Sequence, residues 1–328
     1  MASAAPPAEE RLEALLGLGT PGPRKRMLII VNPYATTVSD RLKKLVVYAL
    51  RGTYEVTAID TQARGHATEL CREAARQDYD VVVAFGGDGT VNEAANGLAG
   101  SSTALTCLPG GRTNVYCRVV GIPVDLVDAT EQLLRLADDW RPRRVDLGYA
   151  GSRRFLFSAG VGLDASVVEQ VDSHPQLKTR LGEWYYTAIA LRIFHRRYIV
   201  HPPGLEAETD TQRVRGVSAF VQNGPAYTYF GERAVLIGQE ATVDSGELCA
   251  AVLKRANPVD LPTIAWRALS RRARLDRHRQ MEVMPNLRTL RVRSLDGRKL
   301  PLQVDGDYIG EVGEVEFGVI PQGLRLIS

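Results

Sequence analysis

Apolar residues in the first half of the chain follow two alternating patterns. Short apolar or alternating runs, typical of strands, are separated by stretches in which apolar residues recur every three or four positions, as in helices. The strand-like runs are MLIIV, YEVTAID, VVVAF and ALTCLP. Helical patterns follow each of them, and the first, at 39–50, has Ser39 or Asp40 as its expected N-cap. Strands that alternate with helices form a parallel sheet covered by helices, so residues 26–146 are predicted to be an α/β domain.

The pattern changes near residue 143, where short alternating segments take over. They include RFLFSAGVG, VSAFVQNG, ELCAAVLK, NLRTLRVRSL and LPLQVDGDYIG. Residues 147–310 are therefore predicted to be a β-rich, sandwich-like domain. One helical stretch, 176–198, interrupts it, and residues 1–25, rich in Ala, Pro and Gly, are predicted to be a mobile tail.

Composition narrows the class of protein without naming it. The 328 residues are 45% hydrophobic and 24% charged, as in an ordinary globular protein with room for two domains. No apolar run approaches the roughly 20 residues that span a bilayer, and the N-terminus lacks a secretory pattern. The four cysteines have no CxxC spacing, which argues against zinc or a disulfide framework and favours a cytoplasmic location.

The charge balance argues against nucleic acid as a partner, because the net charge is only +3. Charge is concentrated, however, in WRALSRRARLDRHR (266–279), with six arginines against one acid. That segment predicts either a solvated surface or a contact for anionic phosphates or an acidic membrane surface.

The stretch FGGDGTVNEAANG, residues 85–97, places a glycine-rich turn between a strand and a helix. Gly86, Gly87 and Gly89 leave backbone N–H groups open to a phosphate, and Thr90 can cap the helix or bind a phosphate oxygen. Asp88 would repel a phosphate unless a cation or a proton lies between them. This indicates Mg²⁺ or a general base, and the alternative is a plain helix cap.

A second glycine-rich turn, LPGGRTN (108–114), again follows a strand and precedes a helix. Gly110 and Gly111 open the backbone, and Thr113 and Asn114 are candidate caps. Two such turns in one sheet suggest one ligand held between them. Asn32 and Thr61 end the first two strands at the same edge, although each alone indicates only a turn.

These motifs together resemble the catalytic-domain family of diacylglycerol kinases, which includes bacterial lipid kinases and the sphingosine and ceramide kinases. The resemblance covers about residues 25–328. It rests on VNP, TQARGHA, FGGDGTVNEAANGL, LPGGRTN, VDLG, SAGVGLDA, QNG, YFGERA and LPLQVDGDYIG, in that order. GGDGT alone also occurs in NAD kinases and phosphofructokinases, whereas its combination with LPGG-x-TN and a late VDGD is more specific.

The resemblance implies an ATP- and Mg²⁺-dependent lipid kinase whose active site lies in the cleft between the two domains. Residues after about 311 would pack back on the first domain. The nucleotide-binding positions would be Asn32, Thr61, Gly86, Gly87, Gly89, Thr90, Asn92, Gly111, Arg112, Thr113 and Asn114. Asp88 would act in catalysis and, with Asp244, in metal binding.

The late motif VDGDYIG is a hairpin-turn signal by itself, since Asp-Gly lies between alternating segments. By resemblance, Asp307 would be the general base that takes the proton of the lipid hydroxyl, and Asp305 would orient or support it. Asp164 would accept a hydrogen bond from the lipid head group, or else it caps a helix. Apolar residues in 176–198 would form a core-facing stripe, with an acyl-chain pocket as the alternative. They are Leu177, Leu181, Trp184, Tyr185, Ala188 and Ile189.

Two departures from the family pattern keep other functions open. Arg112 replaces a threonine, and Ser245 replaces the aspartate of a structural Mg²⁺ site, for which the adjacent Asp244 is the candidate substitute. The alternatives are a non-catalytic nucleotide- or lipid-binding relative, a kinase for a sphingoid base, and a kinase for a soluble substrate. The membrane would supply the lipid to a peripherally bound enzyme. Its docking residues would be Arg271, Arg272, Arg274, Arg277 and Arg279.

Overall fold

The computed structural model describes residues 24–136, 140–172, 202–238, 242–270 and 275–328. Nearly all of the predicted tail, the helical stretch 176–198 and the arginines 271, 272 and 274 lie outside the described residues.

Four parallel strands with connecting helices form the first half, as the sequence predicts. The strands are β1 Arg26–Val31, β2 Glu55–Asp60, β3 Val81–Gly86 and β4 Ala104–Pro109. The helices are α1 Asp40–Arg51, α2 His66–Arg76, α3 Asp88–Leu98, α4 Val115–Val120 and α5 Leu126–Leu136. β3 and β4 are buried throughout, as expected of parallel strands covered on both faces, whereas β2 at the sheet edge keeps several residues exposed.

Side chains set the starts of these helices. Ser39 caps α1 by accepting a hydrogen bond from the Leu42 amide at 3.3 Å, which confirms the predicted cap. The α2 helix begins later than its pattern suggests. The Glu93 carboxylate accepts the amides of Gly65 at 2.8 Å and Ala67 at 3.2 Å, and so fixes the helix start at His66.

The second half is mainly antiparallel. Its strands are β5 Arg143–Ala150, β6 Arg153–Phe155, β7 Ser158–Val161, β8 Leu205–Glu208, β9 Arg213–Gly216, β10 Ser218–Gln222, β11 Thr228–Phe230, β12 Arg233–Val235, β13 Leu248–Leu253, β14 Met281–Leu287, β15 Thr289–Ser294, β16 Leu300–Val304, β17 Asp307–Val312 and β18 Glu314–Leu326. Among the described residues of this half, two helices, α6 Leu163–Asp172 and α7 Leu261–Leu269, and a short 3-10 helix, Leu275–Arg277, accompany the strands.

Two large sheets carry these strands. The ten-stranded sheet runs β2-β1-β3-β4-β18-β15-β8-β9, with β5 paired to β18 and β6 to β5. The six-stranded sheet runs β14-β13-β10-β7-β16-β17, and β11 and β12 form a separate ribbon. Residues from the antiparallel part of the first sheet and from the second sheet share one core, which includes Phe155, Phe317, Met284 and Leu300. This shared core makes the C-terminal half a sandwich, as predicted.

The strand β18 joins the two halves of the molecule. It pairs in parallel with β4 at Leu326 and Leu105, and antiparallel with β5 and β15. It lies where the resemblance implies that residues after about 311 return to the first domain. The proposed boundary at 146/147 falls inside β5, so the domain limits stay a prediction. In the part of the chain that the structure describes, no helix is long and apolar enough to cross a membrane.

Candidate active site

The two glycine-rich turns lie against each other, backbone to backbone. The Gly110 amide donates to the Gly86 carbonyl at 2.9 Å. A Cβ on Gly110 would come within 2.8 Å of the Gly86 Cα, and one on Gly111 within 2.8 Å of the Gly87 Cα. Real Cβ atoms do not approach backbone this closely, so these positions require glycine. The two turns therefore pack tightly against each other, with Gly86 and Gly110 buried and Gly87, Gly89 and Gly111 half-buried.

Asn32 connects the end of β1 to the first glycine turn by hydrogen bonds. Its amide nitrogen Nδ2 donates to Thr90 Oγ1 at 3.2 Å, and its backbone amide donates to the Phe85 carbonyl at 2.9 Å. Thr61 lies at the end of the neighbouring strand, where its amide donates to the Val31 carbonyl at 2.8 Å. Both predicted nucleotide residues thus lie at the carboxyl edge of the sheet, Asn32 beside the first glycine turn and Thr61 one strand further away.

Asp88 caps a helix, but not its own. Its Oδ2 accepts the Val115 amide at 3.0 Å and its Oδ1 accepts the Tyr116 amide at 2.9 Å, at the start of α4. The expectation that Asn114 would cap α4 is wrong for this reason. The Asn114 side chain turns back to Gly111, accepting its amide and donating to its carbonyl, both at 2.9 Å.

Burial raises the pKa of Asp88, the two backbone amides oppose this shift, and the nearby charge of Asp307 adds to it. Two carboxylates that lie close enough to repel each other form a fitting environment for a divalent cation. Among the described residues, however, no group of three or more His, Cys, Asp or Glu side chains lies close enough to hold a metal alone. A Mg²⁺ ion here would need oxygen atoms from a phosphate or from water.

The second glycine turn also carries two less constrained residues. Arg112 is exposed at the surface of the turn. Thr113 is half-buried, and its carbonyl accepts Arg118 Nε at 3.0 Å.

The VDGD motif forms a two-residue hairpin turn between β16 and β17, as the sequence predicts. Asp305 and Gly306 have φ values of 48° and 80°, the left-handed pair that Asp-Gly favours in such turns. Asp307 follows, with 36% of its side chain exposed. A Cβ on Gly89 would lie 3.2 Å from Asp307 Oδ2, so this carboxylate lies over the N-terminus of α3. The hairpin turn therefore faces the first glycine turn across the cleft.

Asp305, two residues earlier, is 4% exposed and fully engaged. Its Oδ1 accepts the amides of Phe157 and Ser158, both at 3.0 Å. Its Oδ2 accepts the Leu156 amide and Asn92 Nδ2, both at 2.7 Å. Burial raises the pKa of Asp305 to about 6, although all four donors favour the ionised form.

Asn92 belongs to this contact. Its side chain is 2% exposed, and besides Asp305 its Nδ2 reaches the Arg154 carbonyl at 2.9 Å. The structure thus places Asn92, a predicted nucleotide-binding residue, where α3 contacts the C-terminal half.

Asp164 lies at the start of α6 in a buried polar network. Its Oδ2 accepts the Tyr227 hydroxyl and Gln303 Nε2, the latter at 2.9 Å. Gln303 also accepts the Gly306 amide at 2.9 Å, which connects the network to the VDGD turn. Burial raises the pKa of Asp164, and its Oδ1 is buried without a hydrogen-bond partner among the described residues. An orphaned acceptor of this kind suits a ligand hydroxyl.

Ser245 lies in a turn that hydrogen bonds hold in place. Ser245 Oγ donates to the Thr242 carbonyl at 3.1 Å, and the Gly246 amide donates to Asp146 Oδ2 at 2.6 Å. Asp244 is exposed and, like Asp88, is not part of a metal-binding cluster in the described chain.

Two residues of the site were missed from sequence. Arg64 in the TQARGHA turn places its Nη2 3.7 Å from Asp307 Oδ2 and 3.4 Å from the Tyr308 carbonyl. Glu93, in the helix after GGDGT, holds the turn that carries Arg64. The TQARGHA and GGDGTVNE motifs contain both residues, but only the tertiary structure shows that each acts on another motif.

The family of the N-terminal half is indicated by a comparison with known proteins. Residues 26–149 match the family model of the diacylglycerol kinase catalytic domain. The resemblance stated from the motifs is confirmed.

Relatives match over most of the chain. It is 29% identical over 296 residues to a diacylglycerol kinase of Bacillus subtilis, covering 87% of this chain and 91% of that protein. It is 27% identical over 297 residues to a diacylglycerol kinase of Staphylococcus haemolyticus, covering 88% and 84%. A crystal structure of a diacylglycerol kinase from Bacillus anthracis superimposes with a TM-score of 0.72 at 21% identity, covering 93% of this chain and 97% of that one. The last comparison confirms the predicted fold class.

Proposed function

We propose that the protein is an ATP- and Mg²⁺-dependent lipid kinase that phosphorylates a hydroxyl of diacylglycerol or a related neutral lipid. The observation that carries this proposal is the position of the Asp307 carboxylate over Gly89, at the meeting point of the two turns. It puts a candidate base beside the backbone surface suited to the phosphates.

In the proposed reaction, backbone amides of the first glycine turn, at the N-terminus of α3, bind the ATP phosphates. Asp307 takes the proton of the lipid hydroxyl as that oxygen attacks the γ-phosphorus. The bond between the γ-phosphorus and the bridging oxygen breaks, and ADP leaves. When bound, Mg²⁺ would neutralise phosphate charge next to Asp88 and Asp307. Arg64, beside Asp307, can contribute a positive charge at the same place.

The sandwich half would hold the lipid. Its buried Asp164 offers an unpaired acceptor oxygen, and Gln303 connects that residue to the turn that carries Asp307. A head-group hydroxyl bound to Asp164 would therefore be held in a fixed position relative to the VDGD turn, which carries Asp307. The choice of a lipid acceptor over a soluble one is supported by the relatives named diacylglycerol kinase.

Contact with an anionic membrane surface is part of the proposal. Of the predicted docking arginines in the described chain, Arg279 is committed to Asp260, with 2.6 Å between Nη2 and Oδ1. Arg277 lies nearby in the 3-10 helix, and Val259 and Trp266 are 75% and 60% exposed. Exposed apolar side chains next to basic ones suit an anionic bilayer surface. Sedimentation with anionic vesicles should weaken in high salt and in Trp266→Ala. Equal binding to neutral vesicles would contradict this docking mode.

The proposed activity is tested by phosphate transfer from labelled ATP to a panel of lipids in mixed micelles with Mg²⁺. Wild type should label diacylglycerol or a related lipid, and Asp307→Asn should reduce the rate by about 100-fold or more. Asp88→Asn should also lose activity, but its folded fraction must be measured because Asp88 caps α4. Labelling of a sphingoid base would keep the mechanism and change the substrate. ATP binding without any labelled lipid would favour the non-catalytic alternative.

A further inference from the structure

The VDGD turn holds two carboxylates in opposite environments. Asp307 is partly exposed, whereas Asp305 is buried and contacts donors from two distant parts of the chain. Three of these donors are consecutive backbone amides, Leu156 to Ser158, which run from the connection after β6 into the first residue of β7. The fourth, Asn92 Nδ2, comes from α3. Asp305 therefore joins the hairpin turn to both halves of the molecule.

The chemistry of this contact is specific to a carboxylate. All four partners donate, two to each oxygen, and an ionised carboxylate has enough lone pairs to accept all of them. An asparagine at position 305 would present its NH₂ group to two N–H donors in either orientation. The amide of Asn92 is oriented by its acceptors, since its Nδ2 also donates to the Arg154 carbonyl at 2.9 Å. Its Nδ2 is thereby directed at Asp305.

The contact between Asp305 and Asn92 also sets the distance between Asp307 and Gly89. Asn92 lies on the same helix as Gly89, one turn further on, and Asp305 lies two residues before Asp307. A helix is rigid over one turn, and the two-residue turn is held by its left-handed backbone and by Gln303. Fixing Asp305 on Asn92 therefore fixes Asp307 over Gly89.

We propose that Asp305 and Asn92 form an interdomain latch that positions Asp307 against the N-terminus of α3. This role rests on the proposed function of Asp307 as the base. Asp305 then acts through Asp307 and is a positioning residue, because its own oxygen atoms have no room for a substrate hydroxyl beside four donors.

Asn96 provides the matched control. It lies one helical turn beyond Asn92, accepts the Arg154 amide at 3.1 Å and donates to the Arg154 carbonyl at 3.1 Å. It thus joins α3 to β6, as Asn92 does. Its Nδ2 also donates to Asn92 Oδ1 at 3.1 Å, but the structure gives it no bond to Asp305, and both acceptors of Asn92 Nδ2 stay in place without it. If activity requires only that the two halves of the molecule stay in contact, Asn92→Ala and Asn96→Ala should lower kcat by similar factors.

The test compares Asn92→Ala, Asp305→Asn and Asn96→Ala in full-length protein. We expect the first two to lower kcat about 10- to 100-fold with the KM for ATP within about threefold of wild type, because a misplaced base weakens the chemical step and leaves the glycine surface intact. Asn96→Ala should keep kcat within about threefold. Asn92→Ser, which keeps a shorter donor, replaces the alanine variant if that variant does not fold.

Hydrogen exchange of the segment 303–308 gives a readout that needs no activity. Exchange of this segment should be faster in Asn92→Ala than in wild type or Asn96→Ala. Unchanged exchange, or a kcat no lower than that of Asn96→Ala, would overturn the latch. A wild type that phosphorylates no lipid would count against the proposed function, whereas the exchange comparison would still decide the latch.

Discussion

The two sides of the cleft are built in opposite ways. The glycine surface, formed by the turns 86–90 and 110–114, presents backbone and excludes side chains, because added Cβ atoms at Gly110 and Gly111 would meet backbone at 2.8 Å. The VDGD turn, residues 304–307, presents carboxylates and places them by side-chain hydrogen bonds. The first side can bind an anion without adjusting any side chain, and the second can place a base only if its supports hold. Substitutions should therefore affect the two sides differently.

Gly110→Ala should have the largest effect on stability. Its Cβ would lie 2.8 Å from both the Gly86 Cα and Val38 Cγ2, so the two turns would have to separate. We expect a loss of about 2–4 kcal/mol of unfolding free energy in urea titration, as for other overpacked sites. Gly313→Ala, with open space around its Cβ, is the control and should change little. Near-equal stability of the two variants would show that the turns do not touch as described.

The pH dependence of stability should reveal the buried carboxylate of the other side. The pKa of Asp305 is raised from 3.8 to about 6 by burial, so the folded protein binds this proton more tightly than the unfolded chain. Its stabilising contribution is full below about pH 4 and is lost as the pH rises through about 6. The unfolding free energy of wild type, relative to Asp305→Asn, should fall by about 3 kcal/mol across this window. A flat difference would contradict the raised pKa.

Asp88→Asn should weaken the contact between the first glycine turn and the start of α4, which follows the second glycine turn. The amide replaces one of the two oxygens that accept the Val115 and Tyr116 amides. We expect a loss of about 1–2 kcal/mol by urea unfolding, the usual cost of losing a helix cap. Asp210→Asn, at an exposed loop position, is the comparison and should be near neutral. If both variants have wild-type stability, Asp88 does not hold α4.

Gly87→Ala should have the smallest effect on stability and still affect nucleotide binding. Its added Cβ would lie 3.5 Å from the Gly111 Cα, an ordinary contact, and its φ of −86° suits any residue. The methyl group would cover backbone proposed to bind phosphate. We expect stability within about 1 kcal/mol of wild type and a KM for ATP raised about tenfold. An unchanged KM for ATP would show that the phosphates do not bind at this turn.

Much of the fold was predictable from local patterns. The β-α alternation, the Ser39 cap and the Asp-Gly hairpin turn each depend on neighbouring residues, and the structure confirms them. The carboxylates were harder to place. Asp88 and Glu93 cap the helices on either side of α3, and Asp305 accepts an asparagine 213 positions away. Such contacts follow from how elements pack, which one sequence does not specify.

The central claim is that one side binds ATP while the other supplies the base, and Asp307→Asn tests it most directly. Calorimetric titration with a non-hydrolysable ATP analogue and Mg²⁺ would be paired with single-turnover phosphate transfer on the same samples. The account predicts a Kd within about threefold of wild type and a transfer rate lowered about 100-fold or more. A Kd that weakens in parallel with the rate, or a rate that survives, would contradict it.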